Sequence, residues 1–215
     1  MVIKAVTVNQ EGTVNTNPKR GSVASCSSVG IVPVTFKELW NNYVQGTPYT
    51  VKGRVPKGFE NQCAIRMSAT LHKVGVKMTS FSQNNIKPEG KAPTLGRILL
   101  NGLSTATRAN EMAKWLETRP ICGVGPPQNV TGANWQDKVK GKTGIIFFGD
   151  YWTRDGESND AASGGHIDLW NGKTLTPSTA STLRFTFGIN SFNFFGLYTL
   201  SDLAKAKKIT FFEVK

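Results

Sequence analysis

Cysteine and histidine, on which most structural metal sites and disulfide frameworks depend, are scarce in this sequence. The 215 residues include three cysteines and two histidines, and no C-x-x-C pair occurs. A structural zinc site or a thioredoxin-like redox motif is therefore not expected. Because three cysteines cannot all pair within one chain, at least one thiol is free or pairs outside the chain.

Long apolar runs are also missing. The longest ones, such as residues 144–148, are far shorter than the roughly 20 residues that a membrane helix requires. Residues 1–9 contain neither a continuous apolar segment nor a small-residue cleavage site of the secretory type. We expect a protein that is made in the cytoplasm without a signal peptide, does not span a membrane, and is exported only by a dedicated machine.

Acidic residues are few in comparison with basic ones. The chain has 26 Lys and Arg against 14 Asp and Glu, which gives a formal charge of +12. Such an excess favours a polyanionic partner, which could be nucleic acid, anionic lipid or the bacterial cell wall. One hypothesis is therefore a basic nucleic-acid-binding module, although the basic residues are scattered and no groove-reading or base-stacking motif is present.

The N-terminal residues differ in composition from the rest of the chain. Residues 9–33 are rich in Asn, Thr, Ser and Gly and have few large apolar side chains, so they bury too little surface to offset the entropy of ordering. We predict a flexible leader over residues 1–33. Residues 34–215 are long enough to form one domain with its own core.

Helical patterns come first along the chain. Thr35 and Glu38 match a capping box at the start of a first helix. A second helix is predicted from Cys63 to Gly75, because its apolar residues recur every three or four positions. A third is predicted over residues 108–117.

Short β-type runs bounded by turn residues follow in the second half. The predicted strands cover residues 144–148, 166–170, 183–187 and 209–214. Helices followed by strands are typical of an α+β fold, here with the helices packed on a small antiparallel sheet.

Cys63 is the candidate nucleophile. In the first turn of a helix, the backbone N–H groups and the helix dipole stabilise an anion and lower the pKa of a thiol. Asn61 and Gln62, just before it, bring amides close to where an oxyanion would form and are predicted to contact substrate. The alternative is a small buried apolar side chain, which is the usual role of a cysteine.

His166 is the candidate general base, at the head of a predicted strand. Strand alternation places His166, Asp168 and Trp170 on one face, where Trp170 could border a cleft. Gly165 would allow a substrate backbone to approach. Asp168 could orient the imidazole or could be a solvent-facing acid, and His166 itself could be an ordinary surface histidine.

The other cysteines and the other histidine are assigned to structure. His72 falls inside the second helix, too far along it to reach Cys63. Cys26 lies in the leader and Cys122 in a loop, and these two could form a disulfide in an oxidising compartment.

Two segments resemble a known family. Residues 61–68, NQCAIRMS, and 165–172, GHIDLWNG, are similar to the two signature segments of the fourth family of type VI secretion amidase effectors. Weaker similarity extends the resemblance over roughly residues 34–172.

The resemblance implies a papain-like, NlpC-type cysteine amidase domain over residues 34–215. It implies an endopeptidase, with Cys63 as nucleophile and His166 as base, that cleaves the bond between D-glutamate and meso-diaminopimelate in peptidoglycan stem peptides. Such effectors are delivered by the type VI secretion apparatus into the periplasm of another bacterium, and a cognate immunity protein blocks the cleft. No metal or organic cofactor is implied. A different cysteine acyl-transferase on the same scaffold is the alternative within enzymes.

The chain departs from the family pattern at one place. Where the family has an aspartate after the histidine, this chain has Pro177, flanked by Thr176 and Ser178. Asp168 is the nearest carboxylate and is predicted as the third catalytic residue, with Thr176, Ser178 or a backbone carbonyl as substitutes.

Overall fold

The protein has an α+β architecture with small antiparallel sheets, as predicted. A computed structural model describes residues 30–90, 92–152, 164–194 and 198–215. The predicted leader lies outside these residues except for 30–33. In chain order the described elements are α1 (Phe36–Asn41), α2 (Cys63–Lys73), β1 (Arg97–Leu100), β2 (Leu103–Ala106), α3 (Ala109–Glu117), β3 (Val124–Asn129), α4 (Trp135–Val139), β4 (Gly144–Trp152), β5 (Gly164–Trp170), α5 (Thr179–Phe185), β6 (Phe192–Phe194), β7 (Tyr198–Leu200), a 3₁₀ turn (Leu203–Lys205) and β8 (Lys208–Val214).

The three predicted helices are confirmed by α1, α2 and α3. The capping box of α1 is complete, since the Thr35 hydroxyl accepts the Glu38 N–H at 3.3 Å and the Glu38 carboxylate accepts the Thr35 N–H at 3.0 Å. The second helix begins at Cys63. Helix α3 starts one residue inside the predicted boundary, with Arg108 as its N-cap.

The main sheet is antiparallel and has the order β3-β8-β4-β5. In β4, Ile145 and Phe147 face one apolar cluster and Ile146 and Phe148 face another. Both faces of this strand are buried, so its sequence is a continuous apolar run rather than an alternating one. Strand β5 lies at the edge of the sheet and carries His166.

Each face of the sheet is covered by its own hydrophobic cluster. The first cluster joins the sheet to α2 and α3 and contains Met67, Leu71 and Met112. The second contains Trp135 and Trp170, whose rings meet edge to face with centroids 5.2 Å apart. Strand β5 contributes to both clusters, and this fixes the position of its side chains from two sides.

Several parts of the secondary structure differ from the prediction, and two of these differences have a clear physical reason. Residues 183–187 were predicted to be a strand, which is wrong, because 183–185 form the end of α5. Ser178 begins that helix by accepting the Ser181 N–H at 3.0 Å, and an N-cap of this kind outweighs a short alternation of apolar residues. Strand β3 was not predicted, since prolines disfavour strands; it pairs only at the sheet edge, with a register shift between Val124 and Pro127.

The remaining cysteine and histidine take structural positions. The His72 ring pairs its Nε2 with the Ser104 carbonyl at 3.0 Å. Cys122 is disulfide-bonded, and Cys26, its predicted partner, lies outside the described residues. Within the described ranges, no helix combines the length and the apolar character needed to cross a membrane.

Candidate active site

Cys63 lies where the N-terminus of α2 meets strand β5. It is the first residue of the helix and is 7% exposed, and its Sγ lies 3.9 Å from the Gly165 carbonyl oxygen. Gln62, the N-cap residue, makes no side-chain cap. Because this residue does not cap them, backbone N–H groups in the first turn of α2 can donate to another acceptor beside Cys63.

Cys63 and His166 line the same groove, and the thiol and the imidazole shift each other's pKa. The imidazole is 22% exposed, and its Nε2 lies 3.2 Å from Oδ2 of Asp168. Asp168 and His166 are two positions apart in β5 and share a face, as strand alternation predicts. The imidazole thus lies beside the carboxylate, in the groove that also contains the thiol.

Electrostatics favour a charged pair of thiolate and imidazolium. Burial by itself raises the pKa of the Cys63 thiol, but the hydrogen bond and the charge of His166, the Ile167 N–H and the charge of Arg66 together lower that pKa below its usual range. Burial also opposes the charged imidazole, yet hydrogen bonds to Asp168 and Cys63 raise the pKa of His166 to about 9. A thiolate in this setting is the nucleophilic form of cysteine.

Asp168 contacts the imidazole directly, whereas the other candidates for the third residue do not. Its Oδ1 accepts the Leu169 N–H at 2.8 Å and the Thr176 hydroxyl at 2.6 Å, which leaves Oδ2 for His166. Thr176 therefore reaches the carboxylate, and Ser178 caps α5.

The residues predicted to contact substrate divide into two groups. Asn61 and Gly165 line the groove around the thiol. Gln62 is fully buried, and its carboxamide binds the backbone N–H and C=O of Tyr49 at 2.9 and 2.8 Å. Trp170 is 2% exposed and packs in the second cluster. It is on the same face of β5 as His166, but at this end of the strand that face is covered by the core. The structure does not bring Gln62 and Trp170 to the groove.

Gly165 has a further steric reason to be glycine. A Cβ at this position would collide with the Asn110 side chain of α3. The close approach of α3 to β5 therefore depends on a residue without a side chain.

The groove holds about 1230 Å³ and is lined by residues from several segments. Sequence reasoning missed most of them, because they are far apart in the chain and only folding brings them together. Arg66, three positions after Cys63 on the same helix, is the one that helical spacing could have found. The missed residues include two tyrosines, a tryptophan, four basic residues and one acid: Tyr43, Tyr151, Trp152, Arg66, Arg184, Lys205, Lys207 and Asp150.

The two tyrosines of the groove are held in the neutral form. For both Tyr43 and Tyr151, burial is the main cause that raises the pKa of the phenol far above its usual value, and the negative charge of Asp168 adds to the effect. Each phenol therefore keeps a proton to donate. Within the described residues, no group of three or more His, Cys, Asp or Glu side chains is arranged to hold a metal ion.

A comparison with protein families identifies the chain. The model of the family Tae4, "Type VI secretion system (T6SS), amidase effector protein 4", matches residues 59–212. This range covers most of the chain and includes Cys63, His166 and Asp168. The protein is thus an enzyme of the amidase effector class of type VI secretion. It belongs to the Tae4 family, and the predicted resemblance is confirmed.

Solved structures of Tae4 effectors are similar to this chain at low identity. The Enterobacter cloacae effector Tae4 is 17% identical with a TM-score of 0.49, over 86% of this chain and 98% of that one. The Tae4-Tai4 effector-immunity complex from the same organism gives 18% and 0.47, over 86% and 100%. The complex from Salmonella Typhimurium gives 19% and 0.44, over 82% and 95%. A search of the curated proteins found no match.

Proposed function

We propose that this protein is a cysteine amidase that hydrolyses the amide bond between D-glutamate and meso-diaminopimelate in peptidoglycan stem peptides. The observation that carries the proposal is that Cys63, His166 and Asp168 line one groove, with the imidazole 3.2 Å from the carboxylate. The family assignment supplies the reaction type, which is amide hydrolysis. A helix bearing the thiol, packed against a sheet bearing the imidazole, suits a papain-like, NlpC-type domain over residues 34–215.

The first half of the reaction is acyl transfer to the thiol. The Cys63 thiolate attacks the γ-carbonyl carbon of D-glutamate, and the oxyanion forms beside the first N–H groups of α2 and the Asn61 amide. The His166 imidazolium then gives its proton to the diaminopimelate nitrogen as the C–N bond breaks. The amine departs, and a thioester with Cys63 remains.

The second half returns the enzyme to its starting state. Neutral His166 takes a proton from water, whose oxygen attacks the thioester carbonyl. The C–S bond breaks, the thiolate is regenerated beside the imidazolium, and the glutamyl carboxylic acid leaves and gives its remaining proton to the solvent. Asp168 stabilises the imidazolium and holds the ring orientation in both halves.

The charge of the groove suits an anionic substrate. A D-glutamate linked through its γ-carboxyl keeps a free α-carboxylate, and diaminopimelate keeps a carboxylate as well. Four basic residues line the groove, and of its two acids Asp168 is engaged by His166. Attraction between these cations and the wall would raise the local substrate concentration and would weaken with added salt.

We also propose the route and the partner that the family resemblance implies. The protein is made in the cytoplasm, leaves through the type VI secretion apparatus and acts in the periplasm of the target bacterium. The solved relatives from two organisms are bound to the immunity protein Tai4. An immunity protein of the same kind, blocking the groove, is the proposed partner of this chain.

The test is mass spectrometry of purified sacculi digested by the wild type and by Cys63→Ala. The wild type is expected to release fragments with a new diaminopimelate amine, and the variant none, while circular dichroism shows that both are folded. Cleavage by Cys63→Ala, or cleavage at another bond by the wild type, would contradict the proposal. Addition of a chelator is expected to change nothing.

A further inference from the structure

Thr176 places a buried hydroxyl against the catalytic carboxylate. The residue is 3% exposed, and its Oγ1 donates to Oδ1 of Asp168 at 2.6 Å. The hydroxyl is a neutral proton donor that reaches the carboxylate from outside β5.

The backbone around Thr176 is tied to β5. The preceding residue, Leu175, forms an antiparallel bridge with Trp170, and its carbonyl accepts the Ser181 hydroxyl at 3.2 Å. Ser178 then caps α5. The hydroxyl of Thr176 is thus held in place from both directions along the chain.

The two oxygens of Asp168 have different partners as a result. Oδ1 accepts from the Leu169 N–H and from Thr176, while Oδ2 faces His166. A carboxylate with one neighbour can rotate about its side-chain bonds. Two donors on Oδ1 oppose that rotation and keep Oδ2 directed at the imidazole.

We propose that Thr176 is the positioning residue of the active site, which holds the Asp168 carboxylate toward His166. Thr176 acts through Asp168. The inference rests on the cysteine mechanism proposed above. Other titratable or charged groups around His166 and Asp168 come from the segment after α1 and from α2, β4 and α5: Tyr43, Cys63, Arg66, Tyr151 and Arg184.

The experiment measures alkylation of Cys63 by iodoacetamide against pH, by mass spectrometry of the peptide that contains it, together with hydrolysis of a stem peptide. In Thr176→Val, a carboxylate free to turn away supports the imidazolium less. The upper limb of the hydrolysis profile is therefore expected to move to lower pH, and the rise of alkylation with pH, which follows the thiolate, is expected to move to higher pH. We expect kcat to fall about 10-fold with KM little changed, as the loss of a hydrogen bond to a charged group implies. Thr176→Ser restores the hydroxyl and should recover most of both.

Thr182→Val is the matched control. The Thr182 hydroxyl is exposed and donates to the Ser178 carbonyl at 3.1 Å within α5, so its removal should leave both profiles as in the wild type. Unchanged profiles in Thr176→Val, or equal losses in the control, would overturn the proposal. If Thr176→Val does not fold, Thr176→Ala, which removes the hydroxyl without adding a methyl group in its place, decides: we expect the same pH shifts, and no shift refutes the proposal.

Alkylation requires no peptidoglycan. The wild type could fail to cut the stem peptide while Thr176→Val still shifts the alkylation profile relative to the wild type. That result would contradict the proposed function and would still support the role of Thr176. The two proposals therefore fail separately.

Discussion

The two faces of the main sheet are covered in different ways. On one face, α2 and α3 pack aliphatic and methionine side chains such as Met67, Leu71 and Met112. On the other, the rings of Trp135, Trp170 and Phe185 contact each other with centroids 5.2 to 6.4 Å apart. The helical face supplies the proposed nucleophile, Cys63, and the segment that follows β5 on the aromatic face supplies the Thr176 hydroxyl that donates to Asp168.

This difference shows that the active site depends on both coverings at once. The helical face is built from local, periodic patterns, whereas the aromatic face joins residues distant in the sequence, from α4 to α5. Strand β5 lies between them and carries the imidazole and the carboxylate. Variants that damage one covering and spare the other therefore separate their contributions.

The largest effect is expected where the two faces meet, in His166→Gln. The loss of the imidazole removes the base and the main group that lowers the pKa of Cys63. We expect kcat/KM on a stem peptide to fall by about 10⁴-fold and the alkylation of Cys63 to shift to higher pH. His72→Gln, on the helical face and bonded to Ser104, is the control and should retain activity. A loss below tenfold in His166→Gln would exclude it as the base.

Trp135→Ala is expected to weaken the aromatic face. Its ring contacts Phe148, Trp170 and Phe185, so the free energy of unfolding, measured in urea, should fall by about 3–5 kcal/mol. Trp115→Ala makes the matching change in the first cluster. Under conditions where both variants stay folded, kcat should fall more in Trp135→Ala, since Leu175 belongs to the second cluster. Equal kcat values would show that the aromatic face does not support the site.

Asp168→Asn tests the link between the strand and the segment after it. The wild type should be active above the lowered pKa of Cys63, where the thiolate forms, and should lose activity as pH rises through the His166 pKa of about 9, where the imidazolium loses its proton. Without the carboxylate that pKa falls, so the upper limb moves to lower pH. We expect kcat/KM to fall about 100-fold at neutral pH, since a buried charge partner is lost. An unmoved upper limb in the rate profile would contradict this role.

The smallest effect is expected at the groove wall, in Arg184→Gln. The guanidinium lines the groove and donates to the Ser201 carbonyl at 2.6 Å. We expect KM to rise about 3-fold with kcat unchanged, as for a partly exposed charge pair, and the rise to vanish for substrates whose D-glutamate α-carboxyl is amidated. Lys142→Gln, exposed and outside the groove lining, is the control. An equal rise in KM with the free and the amidated substrate would show that Arg184 does not bind the α-carboxylate.

The sequence predicted the parts of the fold that short-range interactions control. The capping box at Thr35 and the start of α2 at Cys63 follow from contacts within one turn of helix. The alternation of β5 correctly placed His166 beside Asp168. The same alternation wrongly placed Trp170 at the groove. One face of β5 borders the groove at His166 and is buried in the second cluster at Trp170, and no local sequence pattern marks the change.

Other features could not be predicted because they depend on distant partners. Residues 183–187 have an alternating apolar pattern, yet the cap at Ser178 and packing against Trp135 make residues 183–185 helical. Strand β3 contains prolines, and it forms because its backbone pairs with the edge of β8. The basic residues of the groove come from α2, α5 and the segment before β8, and folding alone brings them to one wall.

The sequence by itself determined the family, the cysteine at the start of a helix and the histidine two positions before a carboxylate. Each of these follows from local patterns, because helix capping and strand alternation act over a few residues. Only the tertiary structure decided that Asp168 faces the imidazole, that the Thr176 hydroxyl donates to Asp168, and that Gln62 and Trp170 lie outside the groove. Those outcomes depend on which segments pack together, and packing is set by apolar burial across the whole chain rather than by neighbouring residues.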